Sequence, residues 1–290
     1  MIVAKNKHLD AATALVGGKK NRAQSLLRSL RTRPSETYHF VSHQNCETES
    51  AVLVVMNQGS TATIAASEPT SKMQAENICC LIQESIRGLR NSGCSIAQTV
   101  LPVNAELCKR AYSDAGFDDL ATLQYMERKH PSKLHQYQRC GAAFRSMANQ
   151  ADVVLENILL ETYKESLDCP LIHGLREIND IIQGHRSQDH YDPNLWSLAE
   201  INATPAGVLL LNISPEPDCV ELAYLGVAPN ARGIGLGDAL VNRAVEQSIK
   251  LGCTKITLAV DSNNFPATSL YSRWGFRKTG TRAAMICRLC

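Results

Sequence analysis

Residues 159 positions apart repeat along this 290-residue chain. Gly93-Cys94 returns as Gly252-Cys253, Tyr112 as Tyr271, and Gly116-Phe117 as Gly275-Phe276. Between these anchors the same offset superposes the hydrophobic patterns of helix 78–90, strand 96–101 and helix 105–115 on their counterparts in the second half. The expected strands 35–42, 50–56 and 60–66 likewise fall on 194–201, 209–213 and 219–225. A period this long means a duplicated domain; solenoid repeats run only about 20–50 residues. The chain is long enough for two domains with cores of their own. We divide it at the polar segment 128–138, which contains Pro131 and serves as a linker, into halves 1–130 and 135–290. In the second half, residues 144–182 read as helices. The strands at 195–201 and 208–213 then meet at a hairpin signal, 202–207. Antiparallel strands followed by a strand–helix–strand unit make an α+β layered domain.

The second half carries one stretch with chemical meaning. A strand at 219–227 runs into Val227-Ala228-Pro229-Asn230-Ala231-Arg232-Gly233-Ile234-Gly235-Leu236-Gly237, and an amphipathic helix begins near Gly235. Free N–H groups and the positive end of the helix dipole converge there, where a phosphate can sit. Gly233, Gly235 and Gly237 allow unusual backbone angles and close ligand approach. Arg232 adds a planar, permanently charged partner for phosphate oxygens. A P-loop is excluded, because no Lys-Ser or Lys-Thr pair follows the glycines. A dinucleotide fingerprint fails at its last glycine, where Asp238 stands; Asp261 would be that alternative's ribose-binding acid.

Downstream, Gly252 ends the helix and Ile256, Leu258 and Val260 alternate as a strand. Then come Asn264, Ala267, Leu270, Tyr271, Gly275 and Phe276. The two motifs, in this order and separated by one helix and one strand, resemble the acetyl-CoA signatures of GNAT-family N-acyltransferases. The resemblance implies two tandem GNAT-like domains, each a mixed, mostly antiparallel sheet flanked by helices. It also implies acetyl-CoA as co-substrate, held by the strand end at Leu225 and Val227 and by the loop Arg232, Gly233, Ile234, Gly235, Leu236 and Gly237. Asn264 and Tyr271 complete that set. Asn264 serves either pantetheine or, as an N-cap, its own helix. Asp238 needs no role beyond complementing the helix dipole.

The first half lacks these features. At the shifted positions of Arg232, Gly235 and Gly237 stand Met73, Glu76 and Ile78, and Ala105 replaces Asn264. An acid in place of glycine repels phosphate. The stretch before the first shared strand, which in GNAT folds supplies the helices beside the acceptor groove, is also shorter. The N-terminal copy thus reads as degenerate and cofactor-free, packing against or shaping the acceptor site, with Tyr112 a core residue.

Acyl transfer to an amine needs a deprotonated amine, a stabilised oxyanion and a proton for the thiolate. A lysine-like amine is neutral only about once in 2,500 at pH 7, so a positioned base is worth roughly 10²–10⁴ in rate. By the resemblance Glu221 is the base, acting directly or through water, and Tyr271 the acid; each also has a purely structural reading, as a solvated strand acid and a packing tyrosine. Tyr224, an odd number of residues from Glu221, is expected on the opposite strand face. The Val227 N–H would bond the thioester oxygen. Trp274 reads as packing.

By the resemblance the expected reaction is acetylation of an amine, with a small-molecule acceptor because tandem relatives include mycothiol synthase-like enzymes. Alternatives are a protein or peptide acetyltransferase and a non-catalytic acyl-CoA sensor. A net charge of +2 gives no electrostatic case for nucleic acid or an anionic membrane. Lys5, Lys7 and Asp10 break any signal peptide. Eleven cysteines, an odd number, suit reduced thiols and a cytoplasmic protein. His173, His185 and His190 lack metal-ligand spacing, so no metal is expected.

Overall fold

Alternation along single strands sets the layering. A computed structural model of the chain describes residues 1–42, 50–129, 140–187 and 191–289. It divides into two units, Met1–Ala121 with Arg282–Cys290, and Thr122–Thr281. The first contains α1 (His8–Leu15), α2 (Lys20–Leu30), β1 (Tyr38–Ser42), β2 (Ala51–Asn57), β3 (Thr61–Ala66), α3 (Lys72–Leu89), β4 (Ile96–Pro102) and α4 (Glu106–Asp114). On β2, Val52 and Val54 pack with α3 residues such as Ile78 and Ile82, while Ala51 and Leu53 pack with Ala12 and Leu30 of α1 and α2. Helices therefore cover both faces of this sheet, as period-2 burial on both sides requires.

β5 (Asp118–Lys129) leads into the second unit, with β6 (Ala143–Ser146), α5 (Asp152–Tyr163), α6 (Ile178–Arg186), β7 (Ser197–Ile201), β8 (Thr204–Ile213), β9 (Cys219–Val227), α7 (Leu236–Lys250), β10 (Lys255–Asp261), α8 (Phe265–Arg273) and β11 (Arg277–Arg288). α7 and α8 bury Leu240, Val241, Val245 and Tyr271 on one face; α5 and α6 cover Leu198, Val208 and Leu210 on the other. β1 with β2, β2 with β3, and β6 through β9 pair antiparallel, whereas β3 with β4 and β9 with β10 pair parallel. The fold is α+β, with mixed sheets flanked by helices. Among the described residues no helix is long and apolar enough to cross a membrane.

The repeat holds element by element. β4 and β10, α4 and α8, and β5 and β11 have bounds that coincide at the 159-residue offset. Their edges, however, are exchanged. In the first unit β4 pairs antiparallel with Arg282–Arg288 of β11. In the second, β10 pairs antiparallel with Leu123–Lys129 of β5. The closing strand of each sheet is thus encoded in the other copy, so the units divide differently from the sequence halves 1–130 and 135–290. Arg128, read from sequence as linker, is a buried residue of β5, its Nε donating to the Trp274 carbonyl at 2.8 Å. Its length and planar head span strand to helix end, which polarity alone did not reveal. Positions 130–138 of that linker, and His190, lie outside the described residues.

Three local expectations change. Residues 143–146 form β6 instead of helix, paired with β7. The hairpin turn is only Asn202-Ala203, both at positive φ (50° and 61°), with β8 already running from Thr204. A two-residue turn with φ positive at both positions matches the strand twist. The shorter N-terminal stretch still supplies two helices, α1 and α2.

Candidate active site

Strand β9 builds one wall of the site by parting from its neighbour. Parallel pairing with β10 covers Cys219, Val220 and Glu221 and then stops. On the other side β9 stays paired with β8 up to Val227. Ala228 N–H donates to the Ala206 carbonyl, so 206/228 is a hydrogen-bonded pair. In an antiparallel ladder the pairs alternate, which turns the backbone groups of Val227 and Leu225 away from β8, into the opening. The sequence-predicted pair Leu225 and Val227 is therefore brought to the cleft.

The loop beyond β9 presents donors. Gly233 and Gly235 have φ of +77° and +89°, which a side chain resists. Gly235 is the N-cap of α7 and provides no side-chain cap. Among the described residues the N–H groups of Gly233, Ile234, Gly235, Leu236, Gly237 and Asp238 have no acceptor. The Leu236 side chain is buried in the core and that of Ile234 is exposed, so each can serve a ligand through its backbone. Gly237 has a packing reason as well: a Cβ there would lie 3.1 Å from Leu270 of α8. Arg232 lines the same space, but its guanidinium points elsewhere. It donates to the carbonyls of Val227 (3.2 Å), Lys164 (2.6 Å) and Glu165 (3.3 Å). It thereby caps the C-terminal end of α5 as well as flanking the loop. The expectation of a side chain aimed only at phosphate missed this, because the partners are distant in sequence.

These elements enclose a cavity of about 1010 Å³ lined by β9 from Leu222 to Val227, the loop, Asn264 and Tyr271. Gly226 sits where α5 comes close; a Cβ there would meet Thr162 at 2.6 Å. Tyr271 is buried, and among the described residues its hydroxyl has no protein partner. Burial first, and then the Asp168 carboxylate, push its pKa well above the usual phenol range. It therefore stays protonated at neutral pH, as a proton donor must. Asn264 caps α8 by accepting from Ala267 N–H at 3.3 Å and also lines the cavity, so both roles read for it are structurally open. Asp238 does more than face the dipole. It accepts from Trp274 Nε1 at 2.9 Å and pairs with Arg273 at 3.2 Å, tying α7 to α8. Asp261 is a buried turn anchor, accepting from Asn263 N–H at 2.9 Å and Cys169 N–H at 3.3 Å; the dinucleotide alternative does not match this fold.

Glu221 is not among the lining residues. It faces Asn212 of β8 at the last position before the strands part, and burial raises its pKa. Tyr224 shares its face, contrary to the odd-spacing expectation. The β8–β9 register shifts between Leu210/Tyr224 and Leu211/Leu222, leaving Ala223 as a bulge that reverses the alternation. Val220, Leu222, Leu225 and Val227 all pack toward α7, while Tyr224 packs toward α5 with its hydroxyl 2.9 Å from Thr162 Oγ1. No residue-type signal marked this bulge.

Among the described residues the first copy has no counterpart of this loop. Positions 73, 76 and 78 lie inside α3, which starts at Lys72, so helix replaces the loop. Tyr112 is fully buried, donating to the Ile64 carbonyl at 2.9 Å.

An α+β unit with a parted strand pair beside a glycine-built anion loop is the arrangement that the sequence resemblance to GNAT acyltransferases implies. Residues 155–276 match the model of the acetyltransferase (GNAT) family. An acetyltransferase of Yersinia pestis (strain Pestoides F) is 29% identical over 107 residues, covering 37% of this chain and 74% of that protein. A GCN5-related N-acetyltransferase from Sphaerobacter thermophilus superposes with a TM-score of 0.67, at 15% identity, over 98% of this chain and 91% of that one. A tandem GNAT protein from the clavulanic acid biosynthesis pathway gives a TM-score of 0.59, at 10% identity, over 100% and 98%. At such identities these two likenesses speak for the fold. The GNAT acetyltransferase signature thus lies in the second half of the chain, at residues 155–276.

Proposed function

We propose that the second unit transfers an acetyl group from acetyl-CoA to the amine of a small molecule, by direct attack in a ternary complex. The consecutive free N–H groups from Gly233 to Asp238, at a helix N-terminus beside the parted strands, carry this reading. Diphosphate would accept from them, and pantetheine would line up on Leu225 and Val227 like an added edge strand. The Val227 N–H would bond the oxyanion, worth roughly 3 kcal/mol when preorganised. Tyr271 would protonate the departing thiolate. Glu221, the base expected from sequence, lies outside the cavity lining on the same face as Tyr224 and would reach the acceptor only through intervening water.

A small acceptor is favoured by the full-length likeness to a tandem GNAT protein of a biosynthetic pathway. The test is thiol release from acetyl-CoA with a panel of small primary amines set against lysine-bearing and N-terminal peptides. Faster turnover of peptides, or binding of acetyl-CoA with no transfer to any amine, contradicts the reading.

A further inference from the structure

Three carboxylates line the cavity among the described residues: Glu165, Asp168 and Asp238. Two are already committed. Asp238 is paired with Arg273 and bonded to Trp274. Glu165 is 82% exposed, with Arg232 at 3.7 Å. Asp168 has no cation partner within ion-pair distance among the described residues, and it is held in place by its surroundings. Its Oδ1 accepts from Asp261 N–H at 3.1 Å, and the Asn264 side chain lies close enough to favour its charged form. We propose that Asp168 is the group that takes the proton from the acceptor amine. The inference deepens the acetyl-transfer reading and rests on it.

The neighbours of Asp168 suit that task. Tyr163 of α5, Tyr224 of β9 and Tyr271 of α8 all feel its charge. Asp261 of β10 and the adjacent Cys169 and His173 of its own loop complete the titratable surroundings. Burial, with the Asp261 charge, raises the Asp168 pKa, while the Asp261 N–H, Asn264 and His173 oppose the rise. A carboxylate moved upward is a better match to an amine than an ordinary one. The same negative charge strengthens Tyr271's hold on its proton, separating base from acid within one cavity. In the step, the ammonium gives a proton to an Asp168 oxygen, the lone pair so freed forms the C–N bond, and the remaining extra proton on nitrogen leaves to solvent. The C–S bond breaks, and the sulfur takes the Tyr271 proton. Solvent then resets both groups.

The experiment compares Asp168→Asn and Glu221→Gln with wild type in the full chain. Asparagine keeps an oxygen for the Asp261 N–H, and unchanged coenzyme A affinity certifies the fold. The probes are acetyl-CoA with ethanolamine, histamine and lysine, and separately with hydroxylamine, an amine largely unprotonated at neutral pH. Asp168→Asn is expected to lose roughly 10²–10⁴ in kcat with the three basic amines. It should lose the acidic limb of the pH profile and be largely spared with hydroxylamine, while Glu221→Gln keeps that limb. Equal losses with hydroxylamine and the basic amines, or a limb that vanishes in Glu221→Gln and survives in Asp168→Asn, overturn the proposal, as does a wild type that binds coenzyme A and acetylates none of the probes. A wild type that fails to bind coenzyme A overturns the underlying reading instead.

Discussion

Tyr112 and Tyr271 stand at the same point of the two copies, yet only Tyr112 has its hydroxyl bonded within the protein, to the Ile64 carbonyl at 2.9 Å. The first tyrosine closes its strand edge, while the second faces the cavity. Phenylalanine should therefore act differently at the two sites. Tyr112→Phe is expected to cost about 1 kcal/mol of unfolding free energy, with kcat unaltered. Tyr271→Phe should lower kcat by roughly 10²–10⁴ with little change in stability or coenzyme affinity. Denaturant titration and steady-state kinetics on both variants check the contrast.

Strand exchange makes a prediction about fragments. A fragment 135–290 lacks Leu123–Lys129, leaving β10 without its antiparallel neighbour. Exposed hydrophobic edges of this kind aggregate. Residues 122–281 should be monodisperse and bind coenzyme A, and 135–290 should be insoluble or aggregated. Size-exclusion chromatography distinguishes them.

His185 gives stability an acid dependence. Burial, followed by the Arg176 charge, lowers its pKa to about 4, and its ring packs near Trp196 and Tyr224. An unfolded histidine binds its proton near pH 6.5, about two and a half units higher. The unfolded chain thus holds more protons between these values, and stability falls as the pH drops from about 6.5 toward 4, levelling below. The term is on the order of 2 kcal/mol, reduced by the ring's partial exposure. His185→Gln should flatten this window in unfolding free energy measured against pH, whereas an unchanged slope assigns the acid sensitivity elsewhere.

Much of this was legible in the sequence where meaning is local. Gly233 and Gly235 announced a backbone that needs positive φ, and the shared offset of Tyr112 and Tyr271 revealed the duplication. What stayed hidden depends on long-range partners. Nothing near Arg232 points to the carbonyls of Lys164 and Glu165, some 67 residues away. The bulge at Ala223, which places Glu221 and Tyr224 on one face, carries no glycine or proline. The pattern of β5 and β11 identifies strands and is silent on which sheet each completes. Asp168 escaped notice because its surroundings, Asp261 and Asn264, come together only in the fold.

The most direct test of the account is calorimetric titration of coenzyme A into the full chain and into Gly235→Val. Valine at a φ of +89° costs at least about 1–2 kcal/mol and turns the donor N–H groups aside. The account predicts one site per chain, because α3 occupies the loop position in the first copy, and a loss of roughly tenfold or more in the variant. No binding, two equivalent sites, or an affinity untouched by Gly235→Val would contradict it.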